Sequence, residues 1–204
     1  MKKLFLLLTL GAFTFTANSQ TQQTRDSGAI SIGVVAGVNF ASINGDDTDN
    51  LSSLTGIHAG VVVDIPLSEM FSVQSGLVYS AQGAEYGDSE GYDGKFKLDY
   101  LNLPVIFKYE VADGFTLEAG PQVGFLMSAK DEYESPGDSG EDDIKDEVKG
   151  IDFAASLGLG YRMESGLSIG ARYNIGLSNI NDFEGSDEFK NQNGVFQISL
   201  GYFF

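Results

Sequence analysis

The last ten residues, VFQISLGYFF from Val195 to Phe204, alternate without a break: Phe196, Ile198, Leu200, Tyr202 and Phe204 share one parity, and Gln197, Ser199 and Gly201 hold the other. Successive side chains of a β-strand point to opposite faces, so this stretch predicts a strand with one oily face and one face of small or polar groups. Seven runs upstream read the same way. Ile30, Ile32, Val34, Val38 and Phe40 oppose Ser31, Gly33, Gly37 and Asn39; Ile57, Ala59, Val61, Val63 and Ile65 oppose Gly56, His58, Gly60 and Asp64. The remaining oily parities run Phe71–Tyr79, Leu101–Tyr109, Phe115–Met127, Ile151–Tyr161 and Leu167–Leu177.

The connections alternate in length. Residues 43 to 54, 84 to 97, 129 to 150 and 180 to 193 are long and polar, whereas Pro66 to Glu69, Ala112 to Gly114 and Glu164 to Gly166 are tight. An even strand count, minimal turns at one end and long loops at the other predict an eight-stranded antiparallel up-and-down transmembrane β-barrel with short periplasmic turns and long acidic extracellular loops. Runs of this length exceed the ~9 to 11 residues that a tilted strand needs to cross a hydrocarbon layer. A soluble lipocalin-like ligand binder has the same period with the polarity inverted, and needs a charged outer face. Here the second parity is mostly Gly, Ser, Ala and Asn, which suits a narrow bore better than bulk water. Phe40, Phe125 and Phe153 fall toward the long-loop end and Phe71, Tyr109, Phe115, Tyr161, Tyr202 and Phe204 toward the short-turn end, as two interfacial girdles require.

Composition removes whole classes of function. The chain has 204 residues, no cysteine, one histidine and a formal net charge of −17. Disulfides, thiolate metal sites and cysteine nucleophiles are excluded, and so negative a field repels phosphate backbones, so no nucleic-acid partner is expected. No cofactor and no metal centre is read from the sequence, and no enzyme activity is expected. Acyl-transfer chemistry needs a base beside its nucleophile, and the only candidate, His58, points into the bore, with Ser80 a possible neighbour. The glycines of Gly158-Leu-Gly160 lie within a strand and form no phosphate cradle.

Lys2 and Lys3 precede an apolar run from Leu4 to Ala17, and Ala17-Asn18-Ser19 has the small-x-small pattern of a cleavage site. Residues 1–19 are therefore expected to be a secretory signal peptide, 20–28 a flexible lead, and 29–204 the barrel domain.

Four stretches carry a family resemblance: Tyr100-Leu-Asn-Leu-Pro-Val-Ile-Phe-Lys-Tyr109, Glu118-Ala-Gly-Pro-Gln-Val-Gly-Phe125, Ser156-Leu-Gly-Leu-Gly-Tyr161 and Arg172-Tyr-Asn-Ile-Gly-Leu-Ser-Asn179. Together they resemble the PorT-like outer-membrane β-barrel proteins of Bacteroidota over residues 29 to 204. The resemblance implies residence in the cell outer membrane among its lipid, assembly by the outer-membrane machinery, and an accessory part in a protein secretion complex. Leu200, Tyr202 and Phe204 look like the C-terminal signal by which that machinery recognises its clients. The resemblance brings no catalytic motif with it, and the acidic third loop is longer than a typical member's.

Two polar features remain. Inside the bore, Lys108, Arg162 and Arg172 are expected to pair with Asp64, Glu110, Glu118 and Asp152, because buried charges need partners; Arg172 and Glu118 should lie deepest. This lumen network is read as structural, with a narrow channel or transporter as the alternative. Outside, the four long loops carry net charges of −3, −2, −6 and −3. Acidic loops keep a rim solvated and suit a structural or interaction protein with a surface partner. The clusters Asp46, Asp47 and Asp49, and Glu141, Asp142, Asp143 and Asp146, offer oxygens to a divalent cation, although no calcium-loop pattern is present.

Overall fold

The computed structural model describes residues 29–87, 92–135, 138–183, 185–186 and 188–204. The proposed signal peptide and the lead 20–28 lie outside the described residues. The strands are β1 (Ser31–Gly45), β2 (Leu51–Pro66), β3 (Phe71–Gly87), β4 (Asp93–Ala112), β5 (Phe115–Ser135), β6 (Asp138–Asp143), β7 (Ile151–Arg162), β8 (Leu167–Gly176) and β9 (Asn191–Phe203). Each pairs antiparallel with its neighbour in sequence, except that β5 passes from β6 to β7 lower down its length. Phe40 opposite Phe196, within the β1–β9 pair, closes a ring of eight strands. Closure leaves no unpaired edge within the ring, the condition for strands to cross a lipid layer.

The oily parity faces outward. Ile57, Phe107, Leu117, Phe153, Leu159 and Leu200 all expose about half of their surface or more, while Asn39, His58, Ser80 and Asn102 on the opposite parity are buried. A soluble barrel has the reverse arrangement, so the inverted polarity places lipid outside and side chains in the bore. Cross-strand aromatic pairs mark the two rims of the oily band. Phe40 and Phe196 stack 6.3 Å apart toward the long loops, and Phe71 with Tyr109 (4.8 Å) and Phe115 with Tyr161 (4.4 Å) lie at the short turns. Two of the three tight turns rest on glycines in the left-handed region, Gly114 at φ +77° and Gly166 at φ +87°, where a Cβ would be strained.

Strand lengths are uneven. β3, β4 and β5 run 17, 20 and 21 residues, against 12 and 10 for β7 and β8. The segment 129–150, read as an irregular polar loop, instead continues β5 and turns back as β6. The result is a sheet of β3 to β6 that projects past the membrane band on one side. It alternates charge on its outer face, where Lys97 meets Glu132, Lys130 meets Glu141 and Lys95 meets Glu85. Such cross-strand pairs, not apolar patterning, hold solvent-exposed strands in register.

Candidate functional site: the bore of the barrel

The bore's side chains fall into three layers. At mid-height a belt of uncharged hydrogen bonds crosses six consecutive strands. Ser156 donates to Asn174 Oδ1 (2.6 Å), Asn174 Nδ2 to Gln197 Oε1 (2.9 Å), and Gln197 Nε2 to Asn39 Oδ1 (2.9 Å). Asn39 Nδ2 donates onward to Ser80 Oγ (3.0 Å) and to the Ala81 carbonyl (2.7 Å). His58 completes the belt, with Nδ1 2.7 Å from Asn39 Oδ1 and Nε2 2.8 Å from Ser199 Oγ. The carbonyl partners of the Asn39 amide nitrogen orient its oxygen toward the ring, so Nδ1 carries the proton and Nε2 accepts from Ser199. Gly37 leaves the space: a Cβ there would stand 2.7 Å from the His58 ring and 2.0 Å from the Ile198 carbonyl oxygen. The expected neighbour, Ser80, is the cross-strand partner of His58 but meets Asn39 instead of the ring.

Above the belt, toward the long loops, the described residues pack the bore with apolar groups. Leu98, Tyr100, Leu126, Ala129 and Ile180 form an apolar cluster, with Ile43, Ile144 and Val148 packed on it. A bulge at Met127 makes this possible, because Tyr100 pairs with Leu126 while Asp99 pairs with Ser128, which brings both Leu126 and Ala129 inward. The loops that cover the seal are stitched together, Lys149 N donating to the Ile180 carbonyl (2.8 Å) and Val148 bridging Asn181. Asp152 belongs here and not to the ion-pair network expected of it: it accepts from Ser178 Oγ (2.6 Å) and Asn193 Nδ2 (2.9 Å), beside the buried Tyr100.

Below the belt, toward the short turns, lie the charges. Lys108 Nζ stands 3.4 Å from Asp64 and 3.3 Å from Glu118; Arg162 also reaches Asp64, and Arg172 reaches Glu118 at 2.7 Å. Each carboxylate thus serves two cations, and Asp64, Lys108, Glu118, Arg162 and Arg172 stand together in one network. Glu118 is buried, but Arg172 is only partly so, and the deepest polar groups are the neutral Asn39, Ser80 and Ser156. Glu110 stands at the β4–β5 turn, where its Oε1 accepts from Gly114 N (3.0 Å). Arg162 Cζ also stands over the Phe203 ring, 3.6 Å from its centre, a cation–π contact in a part-dry setting.

The belt was the feature that sequence reading missed. Its signal was present as Ser or an amide or imidazole at inward parity on six successive strands, yet each residue alone reads as an ordinary small polar filler. Leu200 and Tyr202 face outward on β9, and Phe204 follows its end with its backbone N–H bonded to the Ile32 carbonyl (2.9 Å). Among the described residues, no three His, Asp or Glu side chains are gathered to hold a metal ion.

Residues 18–182 match the family described as outer membrane protein beta-barrel domain. The chain belongs to this family. As a member of it, the protein is an outer-membrane β-barrel that crosses the bilayer with strands. Among solved structures, Neisserial surface protein A shares 13% identity with a TM-score of 0.51, covering 86% of this chain and 99% of its own. The attachment invasion locus protein Ail of Yersinia pestis shares 19% (TM-score 0.49, covering 87% and 99%), and OprG of Pseudomonas aeruginosa 12% (0.45, covering 87% and 97%). Identities this low speak to the fold alone. No curated protein matches the sequence.

Proposed function

We propose that this protein acts at the cell surface by presence and contact, as a structural or interaction barrel of the outer membrane with no catalytic role, exported by a signal peptide at 1–19. The observation that carries this reading is the sealed upper bore. A pore needs a continuous wet path, whereas here a hydrogen-bonded belt and an apolar cluster under stitched loops block the long-loop half. Where transport is blocked, the part left to meet other molecules is the projecting acidic sheet. The lumen charges Lys108, Glu118, Arg162 and Arg172 then serve to fix the barrel's cross-section. His58 with Ser199 and Asn39 has the order of a hydroxyl–base–amide relay, but it sits inside the bore, away from the lipid-facing surface where an acyl substrate would lie.

The finer reading is PorT-like: an accessory component of a secretion complex in a Bacteroidota cell. It rests on the four sequence stretches above and on the projecting sheet that a partner would grip. The test is a pull-down from gently solubilised outer membrane with the intact chain and with a variant neutralised along β6 (Asp138→Asn, Glu141→Gln, Asp142→Asn, Asp143→Asn). A stoichiometric partner lost with the charges supports contact through the sheet. Steady conductance of the purified barrel in a planar bilayer would replace this reading with a channel.

A further inference from the structure

The charged half of the bore is hollow. A cavity of about 360 Å³ opens between the short turns, past Ser68, Glu69 and Met70, and reaches up to His58 and Asn102; among the described residues, none from the long loops lines it. The volume falls within the range of small-molecule sites, roughly 300–1,000 Å³. Its wall differs from the belt above it in how its amides are used.

In the belt, Asn39, Asn174 and Gln197 are bonded to one another or to a serine. On the cavity wall, Gln74, Asn102 and Gln122 are buried just as deeply, at 6%, 2% and 8% exposed, yet none of their side chains is hydrogen-bonded to another described residue. Strand register sets the three side by side. Asn102 is an inward residue of β4, and the next two inward positions of that strand, Pro104 and Ile106, stand opposite Gln122 of β5 and Gln74 of β3. Buried polar side chains nearly always find a partner, so three neighbouring exceptions on one wall require one that enters the cavity. Charge does not set its nature. The three cations in the lining already hold Asp64 and Glu118, and two more carboxylates, Glu69 and Glu110, stand toward the mouth, so the space suits a neutral guest. A primary amide donates through its NH₂ and accepts through its oxygen, which matches a hydroxyl, itself donor and acceptor. Val35 and Val78 face the same space with part of their surface open, and offer contact to C–H groups.

We propose that this cavity is a binding site for a small neutral polyhydroxylated molecule, a monosaccharide in its ring form, reached from the short-turn, periplasmic side. Its hydroxyls meet the amides of Gln74, Asn102 and Gln122, and its C–H groups lie toward Val35 and Val78. Glu69 and Glu110 disfavour sugar acids. The belt at the inner end limits the length of the guest, which excludes oligosaccharides. The site is independent of the contact role assigned to the opposite end.

The experiment follows the side-chain NH₂ signals of Gln74, Asn102 and Gln122 in the full barrel, held in nanodiscs, during separate titrations with D-glucose, D-galactose and D-ribose. Cyclohexanol serves as a ring without the hydroxyl set and sodium glucuronate as the charged match. Saturable shifts with at least one of the three sugars are expected, with none from cyclohexanol and weaker ones from glucuronate. Gln122→Leu should weaken sugar binding at least about tenfold, equivalent to about 1.4 kcal/mol. Because this variant removes an amide that the fold leaves unpaired, its urea midpoint without sugar should be unchanged or raised. A second variant tests the space itself. Gly170 lines the cavity, and a Cβ built on it meets nothing nearer than the Leu159 carbonyl oxygen at 3.4 Å, so Gly170→Leu narrows the void from the β8 wall. It should abolish the sugar shifts in a barrel that still folds. No saturable response to any of the sugars, an equal response to cyclohexanol, a stronger one to glucuronate, a lowered urea midpoint in Gln122→Leu, or an unchanged response in folded Gly170→Leu would each overturn the assignment.

Discussion

The two halves of the bore solve one problem in opposite ways. Toward the long loops the interior is apolar or, Asp152 apart, neutral: Leu98, Tyr100 and Ile180 pack together, and below them the Asn39 belt closes its hydrogen bonds with uncharged groups. Toward the short turns it is ionic, with Lys108 between Asp64 and Glu118 and both arginines reaching down to the same carboxylates. The difference follows solvent. A closed region hydrates a charge poorly, so Asp152 there is held by hydrogen bonds from Ser178 and Asn193 among neutral groups; a region open at one end keeps water within reach of ions. Position along the bore, and not parity on the strand, therefore decides where inward residues gather into ion pairs.

The sharpest way to break this contrast is to unbalance the ionic half. Glu118→Gln takes the carboxylate from Arg172 and from Lys108 at once, and should cost about 3–5 kcal/mol of unfolding free energy in a urea titration in lipid vesicles. Lys108→Met, which leaves Asp64 with Arg162 and Glu118 with Arg172, should cost less; an equal loss would mean that packing, not charge, holds this half. Next comes the belt. Asn39→Ala orphans His58 Nδ1 and Gln197 Nε2, and should cost about 2–3 kcal/mol by the same titration, since each unmet buried donor costs roughly 1–3. The expected loss in this variant is the same at low and high salt, because its partners are uncharged.

Outside the bore the effects shrink. Phe115→Ala removes one ring of the Phe115–Tyr161 pair at the short-turn interface and should cost about 1–1.5 kcal/mol beyond its area, measured against Tyr161→Ala in a double-mutant cycle. The smallest effect belongs to the projecting sheet. Tyr86 donates to Asp131 (2.6 Å), and partial burial with the Asp131 carboxylate beside it holds the phenol above its ordinary value near 10. A raised native value stabilises the fold below the unfolded phenol's titration and loses that contribution as pH climbs toward the native one. Asp131→Asn should bring the Tyr86 titration down toward the ordinary value in an ultraviolet absorbance titration while leaving the barrel's stability at pH 7 almost unchanged. A phenol that titrates identically in both proteins would show that Asp131 is not its partner.

Alternation along Ile57 to Ile65 and Phe196 to Phe204 made strand number, lipid-facing parity and the short-turn end legible, because a two-residue period is a local property of the chain. The ion pairs were half legible. Lys108, Glu118, Arg162 and Arg172 shared inward parity, but depth depends on how neighbouring strands are offset, and that sent Asp152 to the sealed half and Glu110 to a turn. The projecting hairpin was hidden for a different reason. Residues 130 to 143 have no oily face, and their pairing rests on charges such as Lys130 with Glu141, which periodicity does not register.

What the chain's own pattern determined is the barrel itself, its polarity toward lipid and the acidic character of its outer loops, all of which follow from which side chains can leave water. Ring closure decided the rest. Only when β1 meets β9 do Asn39, His58 and Ser199, far apart in the chain, come within hydrogen-bond reach. The strand offsets then set where neutral packing stops and the hollow, charged half begins.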